Sequence, residues 1–517
     1  MNIKNAKEEI ENTVRAYLQR DENGNYRIPA IRQRPLLLMG PPGVGKTQII
    51  EQAARECGVA LVAYTITHHT RQSAVGLPFI IKKTYDGREH SVTEYTMSEI
   101  IASVYDKMES TGLKEGILFI DEINCVSETL APTMLQFLQG KTFGNQKVPE
   151  GWIIVTAGNP PEYNRSVREF DIVTLDRVRK MDIEPDFAVW KEYAYRQSIH
   201  GAVLSYLEIR KENFYRIETT PDGILFATAR GWEDLSEMIG VCETLSLPVG
   251  QELVLQYIQN PAVAKDFANY YELYNKYRDD YRVDEILNGH FSDEAVNKLR
   301  LAPFDEKLSV IGLLLSKLNE SCRQAYLTDR YTEALFEKLK EWKALLSDAK
   351  DTPDGSLRQL AQKEEDTLAL RKENGQAGGE EETVTRRFIH TLEDYAEVLK
   401  MADLREADAA FAFVKGCFGE ETAKRKEEIA SVSAALEHAF AFMTAAFGES
   451  QEMVVFVTEL TVNFYTAKFI LENGCDPYYV YNKGLLFSDR QEGILKEIDS
   501  LRDAQSDGEQ DRNRMEF

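Results

Sequence analysis

Eight residues, Gly40-Pro41-Pro42-Gly43-Val44-Gly45-Lys46-Thr47, carry the spacing G-x-x-x-x-G-K-T that phosphate chemistry demands. The glycines let backbone N–H groups curl round an anion with no Cβ in the way. Lys46 has the reach to meet the β- and γ-phosphates, and the Thr47 hydroxyl can ligate Mg²⁺. Gln48, next along, completes the expected binding set of Gly40 to Gln48. A carboxylate pair, Asp121-Glu122, ends the apolar run Ile117-Leu118-Phe119-Ile120. Asp121 is expected to face the metal, directly or through water. Glu122 is expected to polarise a water in line with the γ-phosphate. The same acidic pair also suits a helix N-cap. Asn159, at the end of Trp152 to Gly158, can hold an attacking water or touch the γ-phosphate. An Asn before Pro160 also favours a turn.

These groups need strand ends to hold them. Leu36–Met39, Val59–Ile66, Ile117–Ile120, Trp152–Ala157 and Met181–Ile183 read as short buried strands. Helical stretches alternate with them, which predicts an α/β fold with a parallel sheet and helices on both faces. An amphipathic helix is expected over 6–20. A β-hairpin is expected where Phe79-Ile80-Ile81 and Ser91-Val92-Thr93 flank Asp86-Gly87. Residues 186–295 are helical and rich in aromatics, read as core. Residues 296–500 read as all-α, with a polar, glycine-rich linker at about 373–383. Cys475 to Tyr479 reads as a turn, a last helix starts near 488, and 501–517 reads as a disordered tail. The domains expected are thus 1–185, 186–295 and 296–500.

The chain has 517 residues, with 61 Lys+Arg against 85 Asp+Glu, a net charge of −24. Such acidity argues against general nucleic-acid binding, which needs clustered cations. Six dispersed cysteines without a C-x-x-C pair suit free thiols in a reducing cytoplasm. The N-terminus shows no apolar leader segment, and no apolar run approaches the ~20 residues of a membrane span. His68-His69 is the one adjacent histidine pair, and it has no ligand spacing around it.

In this order the landmarks resemble the AAA+ ATPases, and among them the MoxR family. The matching stretches are Gly40–Thr47, Ile117–Glu122, Ala157-Gly158-Asn159-Pro160, Leu175-Asp176-Arg177 and Thr228–Leu235. Gly76-Leu77-Pro78, and Met134–Gly140 through Pro149–Trp152, match the family's loop and hairpin between them. The resemblance covers about residues 30–290. It implies ATP and Mg²⁺ as ligands: Lys46 on phosphate, Thr47 and Asp121 on the metal, and Glu122 as catalytic base. Asn159 would be sensor 1, and Arg230 sensor 2 on a helical lid that 186–295 supplies. Arg177 would be the arginine finger reaching a neighbouring subunit. Val178 stands where relatives carry an aromatic, so Arg165, Arg168 and Arg179 compete for that role. The resemblance further implies a hexameric ring that remodels, activates or loads cofactor into a client protein. A von Willebrand A-domain adaptor often accompanies such rings. Two other readings stay open: a nucleic-acid-directed motor or restriction-type NTPase, and a nucleotide-controlled assembly scaffold.

Overall fold

The computed structural model describes residues 1–483 apart from 69–70, 144–145, 164–166, 168–169, 222, 349–351, 374 and 376–377. The strands, in chain order, are β1 (Leu36–Met39), β2 (Ala60–Thr65), β3 (Pro78–Tyr85), β4 (Arg88–Tyr95), β5 (Gly116–Asp121) and β6 (Thr142–Phe143). β7 (Gln146–Lys147), β8 (Trp152–Gly158), β9 (Arg179–Asp182), β10 (Arg216–Thr220) and β11 (Gly223–Ala227) follow. Five of them form one sheet in the order β2-β5-β8-β1-β9, all neighbours parallel.

Side chains alternate across this sheet, as the two-residue strand period requires. Leu37, Leu118, Ile120 and Ile154 pack on one face. Leu36, Leu38, Ile117, Phe119 and Val155 pack on the other, beneath the helices Ile3–Tyr17 and Lys46–Cys57. Burial on both faces explains why these strands read as continuous apolar runs. Met39 lies opposite Gly158, and Ile120 opposite Thr156. The loops that leave β1, β5 and β8 therefore open on the same sheet edge, where α/β proteins place ligands.

The expected hairpin is present. Tyr85 pairs with Arg88, and Asp86 (φ 50°) and Gly87 (φ 76°) both take the left-handed conformation of a type I′ turn. The aromatic stretch after 186 is core. Trp232 is fully buried against Phe267, with ring centroids 5.3 Å apart.

Four expectations need correction. The division at 295/296 marks no change of core. One apolar cluster runs from Trp190 and Trp232 through Leu314 to Phe440, Phe456 and Phe469. Two long helices, Phe304–Asp348 with 45 residues and Ala407–Phe447 with 41, carry this core outward. At 1.5 Å per residue they span about 60–70 Å. Their far halves join the helices Pro353–Glu373 and Gly379–Met401 around a second, smaller core holding Leu335, Trp342, Leu357 and Leu392. The linker expected at 373–383 is partly helix, since Gly379 opens one. Arg371–Glu381 (2.6 Å) and Lys372–Glu382 (2.7 Å) ion pairs tie that start to the preceding helix. The turn expected at Cys475–Tyr479 is the start of a helix over 476–483. Pro477 is tolerated there because a first helical turn needs no N–H from it. Finally, the helix Ala407–Phe447 does contain a stretch long and apolar enough to cross a membrane. Its Leu436, Phe440, Phe442 and Met443 are spent on the large core instead. The helix expected from 488 and the tail at 501–517 lie outside the described residues.

Candidate functional site

The turn after β1 needs glycine at two places. Gly43 (φ 72°) and Gly45 (φ 95°) are left-handed, and Gly45 caps the helix Lys46–Cys57. The helix's free N–H groups and positive dipole end thus face the loop's interior. Lys46 curls back over that loop. Its Nζ donates to Gly40 O at 2.8 Å, Pro41 O at 2.9 Å and Asn159 Oδ1 at 2.9 Å. Burial, aided by nearby Arg230, pulls the Lys46 pKa down to about 8, while Asp121 and Glu122 act the other way.

β5 delivers the carboxylates. Thr47 Oγ1 donates to Asp121 Oδ2 at 3.4 Å, and the Glu122 N–H donates to Asp121 Oδ1 at 2.8 Å. Glu122 itself sits at φ 56°, ψ 35°. Left-handed backbone at a non-glycine residue is strained, and such strain gathers at functional sites. Thr47 Oγ1 and Asp121 Oδ2 are hard oxygen donors side by side, the chemistry Mg²⁺ prefers when phosphates complete its shell. Among the described residues no cluster of three or more His, Cys, Asp or Glu is placed to cage a metal.

The helix Ala229–Thr244 closes the other side. Thr228 caps the helix Ala229–Thr244, its Oγ1 accepting from the Gly231 N–H at 3.2 Å. A Cβ built on Gly43 would meet Thr228 Cβ at 3.2 Å and Arg230 Cβ at 3.5 Å, so cap and loop are in direct contact. Tyr215 adds a second contact, its hydroxyl donating to Pro42 O at 2.7 Å. Between these walls lies a cleft of about 710 Å³. Pro42 to Gln48, Asp121, Glu122, Asn159 and Arg230 all line it. Gly40 and Pro41 sit behind it and hold Lys46.

Arg177 is exposed and does not line its own chain's cleft. Of its rivals, Arg179 donates to Thr13 Oγ1 at 2.9 Å and pairs with Glu9, which anchors the N-terminal helix. Arg179 is thus engaged within its own chain. Arg165 and Arg168 lie outside the described residues. Sequence reasoning missed Ile3, Tyr193 and Tyr215, whose contributions depend on packing across distant elements. It also missed Asn124, whose amide donates to Asn159 O at 2.7 Å. Its proximity to Glu122 was the one available signal.

Residues 36–175 match the model of the ATPase family associated with various cellular activities (AAA). This segment is similar to AAA domains. It contains the glycine-rich loop, both carboxylates and Asn159, and it ends before Arg177 and Arg230. No curated protein matches the chain. Among solved structures, C. elegans PCH-2 shares 12% identity at a TM-score of 0.24, covering 40% of this chain and 48% of that one. This chain thus spans about half of PCH-2. A Thermotoga maritima RuvB mutant shares 12% identity at a TM-score of 0.28, covering 49% and 69%.

Proposed function

We propose that this AAA-like domain hydrolyses ATP where two copies of the chain meet in a ring, and that turnover remodels or activates a partner protein in the MoxR manner. The observation that carries the reading is the convergence of Lys46, Thr47, Asp121, Glu122, Asn159 and Arg230 on one cleft. Lys46 already points into the loop, and an entering triphosphate would replace the carbonyls it now contacts. Glu122 would hold the attacking water as base, with Asn159 beside it. Arg230 would meet the γ-phosphate from the lid, so hydrolysis would release lid from loop. Mg²⁺, held by Thr47 and Asp121, would neutralise the phosphate oxygens.

Arg177 would act in trans. Its exposure and its distance from its own cleft leave it free to enter a neighbour's. An arginine supplied this way is worth about 10³–10⁵ in rate. The helical arm formed by the second core is the natural place for a client, or for an A-domain adaptor.

The test is reconstitution. Glu122→Gln and Arg177→Ala chains should each be inactive alone. Mixed in equal amounts they should regain activity through interfaces that combine one intact cradle with one intact finger. Full activity of Arg177→Ala alone removes the trans arrangement. Absence of nucleotide hydrolysis by the wild-type chain at every concentration removes the enzymatic reading.

A further inference from the structure

The turn that carries Glu122 is tied to the strand end that carries Asn159 by one side chain, Asn124. From this geometry we infer that Asn124 is a positioning residue. It holds base and sensor in mutual register for the γ-phosphate. The inference rests on the hydrolytic reading above.

Asn124 lies in the short 3₁₀ turn Ile123–Cys125 that strained Glu122 initiates. It is only 2% exposed. Its Nδ2 donates to Asn159 O at 2.7 Å, while Asn159 Oδ1 accepts from Lys46 Nζ at 2.9 Å. A continuous chain therefore runs from Lys46 through Asn159 to Asn124, two residues beyond Glu122. The other end of the amide, Asn124 Oδ1, is buried and has no hydrogen-bond partner among the described residues. It lies against Gly158, where a built Cβ would stand 2.5 Å away. Gly158 is extended, with no left-handed angle to require glycine. Space for Asn124, and secondarily for Met39 Sδ at 3.1 Å, is thus the physical reason for glycine at 158.

A buried polar atom without a partner costs about 1–3 kcal/mol. An alanine side chain at this position would avoid that cost and still allow the turn, so the bond to Asn159 O is what the amide supplies in return. Without it, the turn that starts at Glu122 keeps only the β5–β8 ladder behind it, and the base drifts relative to Asn159. Misplacement by about 1 Å can cost about 100-fold in rate without changing binding.

The experiment uses the full chain. Nucleotide binding is followed with a fluorescent ATP analogue, turnover by phosphate release, and the tether by amide exchange over residues 156–163. Asn124→Ala should keep KM and analogue affinity within about threefold while kcat falls at least tenfold, the split expected when only transition-state geometry suffers. Exchange over 156–163 should speed up even without nucleotide. Gly158→Ala, which displaces Asn124 without removing it, should give the same pattern. The double variant should be no worse than either single one, because truncating Asn124 makes room for the new Cβ. Asn124→Asp, which keeps the shape of the side chain and loses the donor, should fall at least as far as Asn124→Ala. If the wild type hydrolyses ATP and Asn124→Ala does so equally fast with unchanged exchange, the tether is not functional. Additive losses in the double variant would equally overturn it. If the wild type hydrolyses no nucleotide, the enzymatic reading fails, and the exchange comparison alone then decides whether the tether exists.

Discussion

Lys191, on the lid helix Phe187–Arg196, donates to Glu459, on the helix Gln451–Val462, at 2.5 Å across 268 residues of sequence. Both side chains are nearly buried, and Glu459 also accepts from the Tyr195 hydroxyl. The pair ties the helix Phe187–Arg196 to the C-terminal helices. Under the proposed function, a nucleotide-driven movement of the lid would therefore carry the helical arm with it. Removing one partner of a buried pair costs about 3–5 kcal/mol, because the other charge is left unpaired. Lys191→Met should therefore lower stability by that order in urea denaturation. Glu208 keeps Lys211 at 2.7 Å, so Glu459 is the group abandoned. Adding Glu459→Gln, which still accepts from Tyr195, should restore more than half of the loss.

The cleft makes two opposite demands on its charged residues. Lys46→Ala should abolish binding of a fluorescent ATP analogue, since Lys46 is the cation inside the loop. Glu122→Gln should leave binding intact and lower phosphate release by about 10²-fold or more, the usual worth of a general base. Equal loss of binding in both variants would mean that Glu122 supports the loop and does not serve the water.

The short buried strands and the glycine-rich loop were legible in the sequence because each depends on neighbours along the chain. Leu36–Met39, Ile117–Ile120 and Trp152–Ala157 are apolar for a single reason, burial on both sheet faces. The Asp86-Gly87 turn was readable from two residues alone. The join between lid and C-terminal region was not. Lys191 and Glu459 each look like ordinary surface charges until the helices are packed. Asn124 was invisible for a related reason: its role depends on the missing side chain of Gly158, 34 positions away in sequence and adjacent in space. The linker near 373–383 misled because glycine and glutamate signal flexibility by composition. Paired with Arg371 and Lys372, Glu381 and Glu382 begin a helix instead.

Lys141 offers a test by pH. It caps the helix Ala131–Gly140 and is buried, with Nζ 3.1 Å from Gln33 Oε1 and 3.4 Å from Trp152 O. Burial without a carboxylate lowers its pKa from 10.5 to about 8. Between those values the unfolded chain binds the extra proton, so stability rises with pH. Below pH 8 the full penalty applies, of order 3 kcal/mol at 1.36 kcal/mol per unit. Lys141 should therefore contribute a rise in urea midpoint between about pH 8 and 10.5, alongside Lys46 and against the buried tyrosines, whose pKa values are raised. Lys141→Met keeps the length of the side chain and should remove that contribution, so its gain in midpoint over the wild type should shrink as the pH rises from about 8 to 10.5. A difference between the two that does not vary with pH would assign the slope to other groups.

The contact between Gly43 and the lid can be separated from simple backbone strain. Gly43 (φ 72°) and Gly58 (φ 66°) flank the same helix, both left-handed. A Cβ on Gly58 meets nothing within 4 Å, whereas one on Gly43 presses on Thr228 at 3.2 Å. Alanine at either position should cost about 1–2 kcal/mol of stability from the left-handed backbone alone. Only Gly43→Ala should also push the cap of the helix Ala229–Thr244 outward and carry Arg230 away from the phosphate. Its affinity for the ATP analogue should fall about tenfold or more, while Gly58→Ala binds like the wild type. Equal affinities in the two variants would show that the lid helix does not depend on this contact to reach the nucleotide.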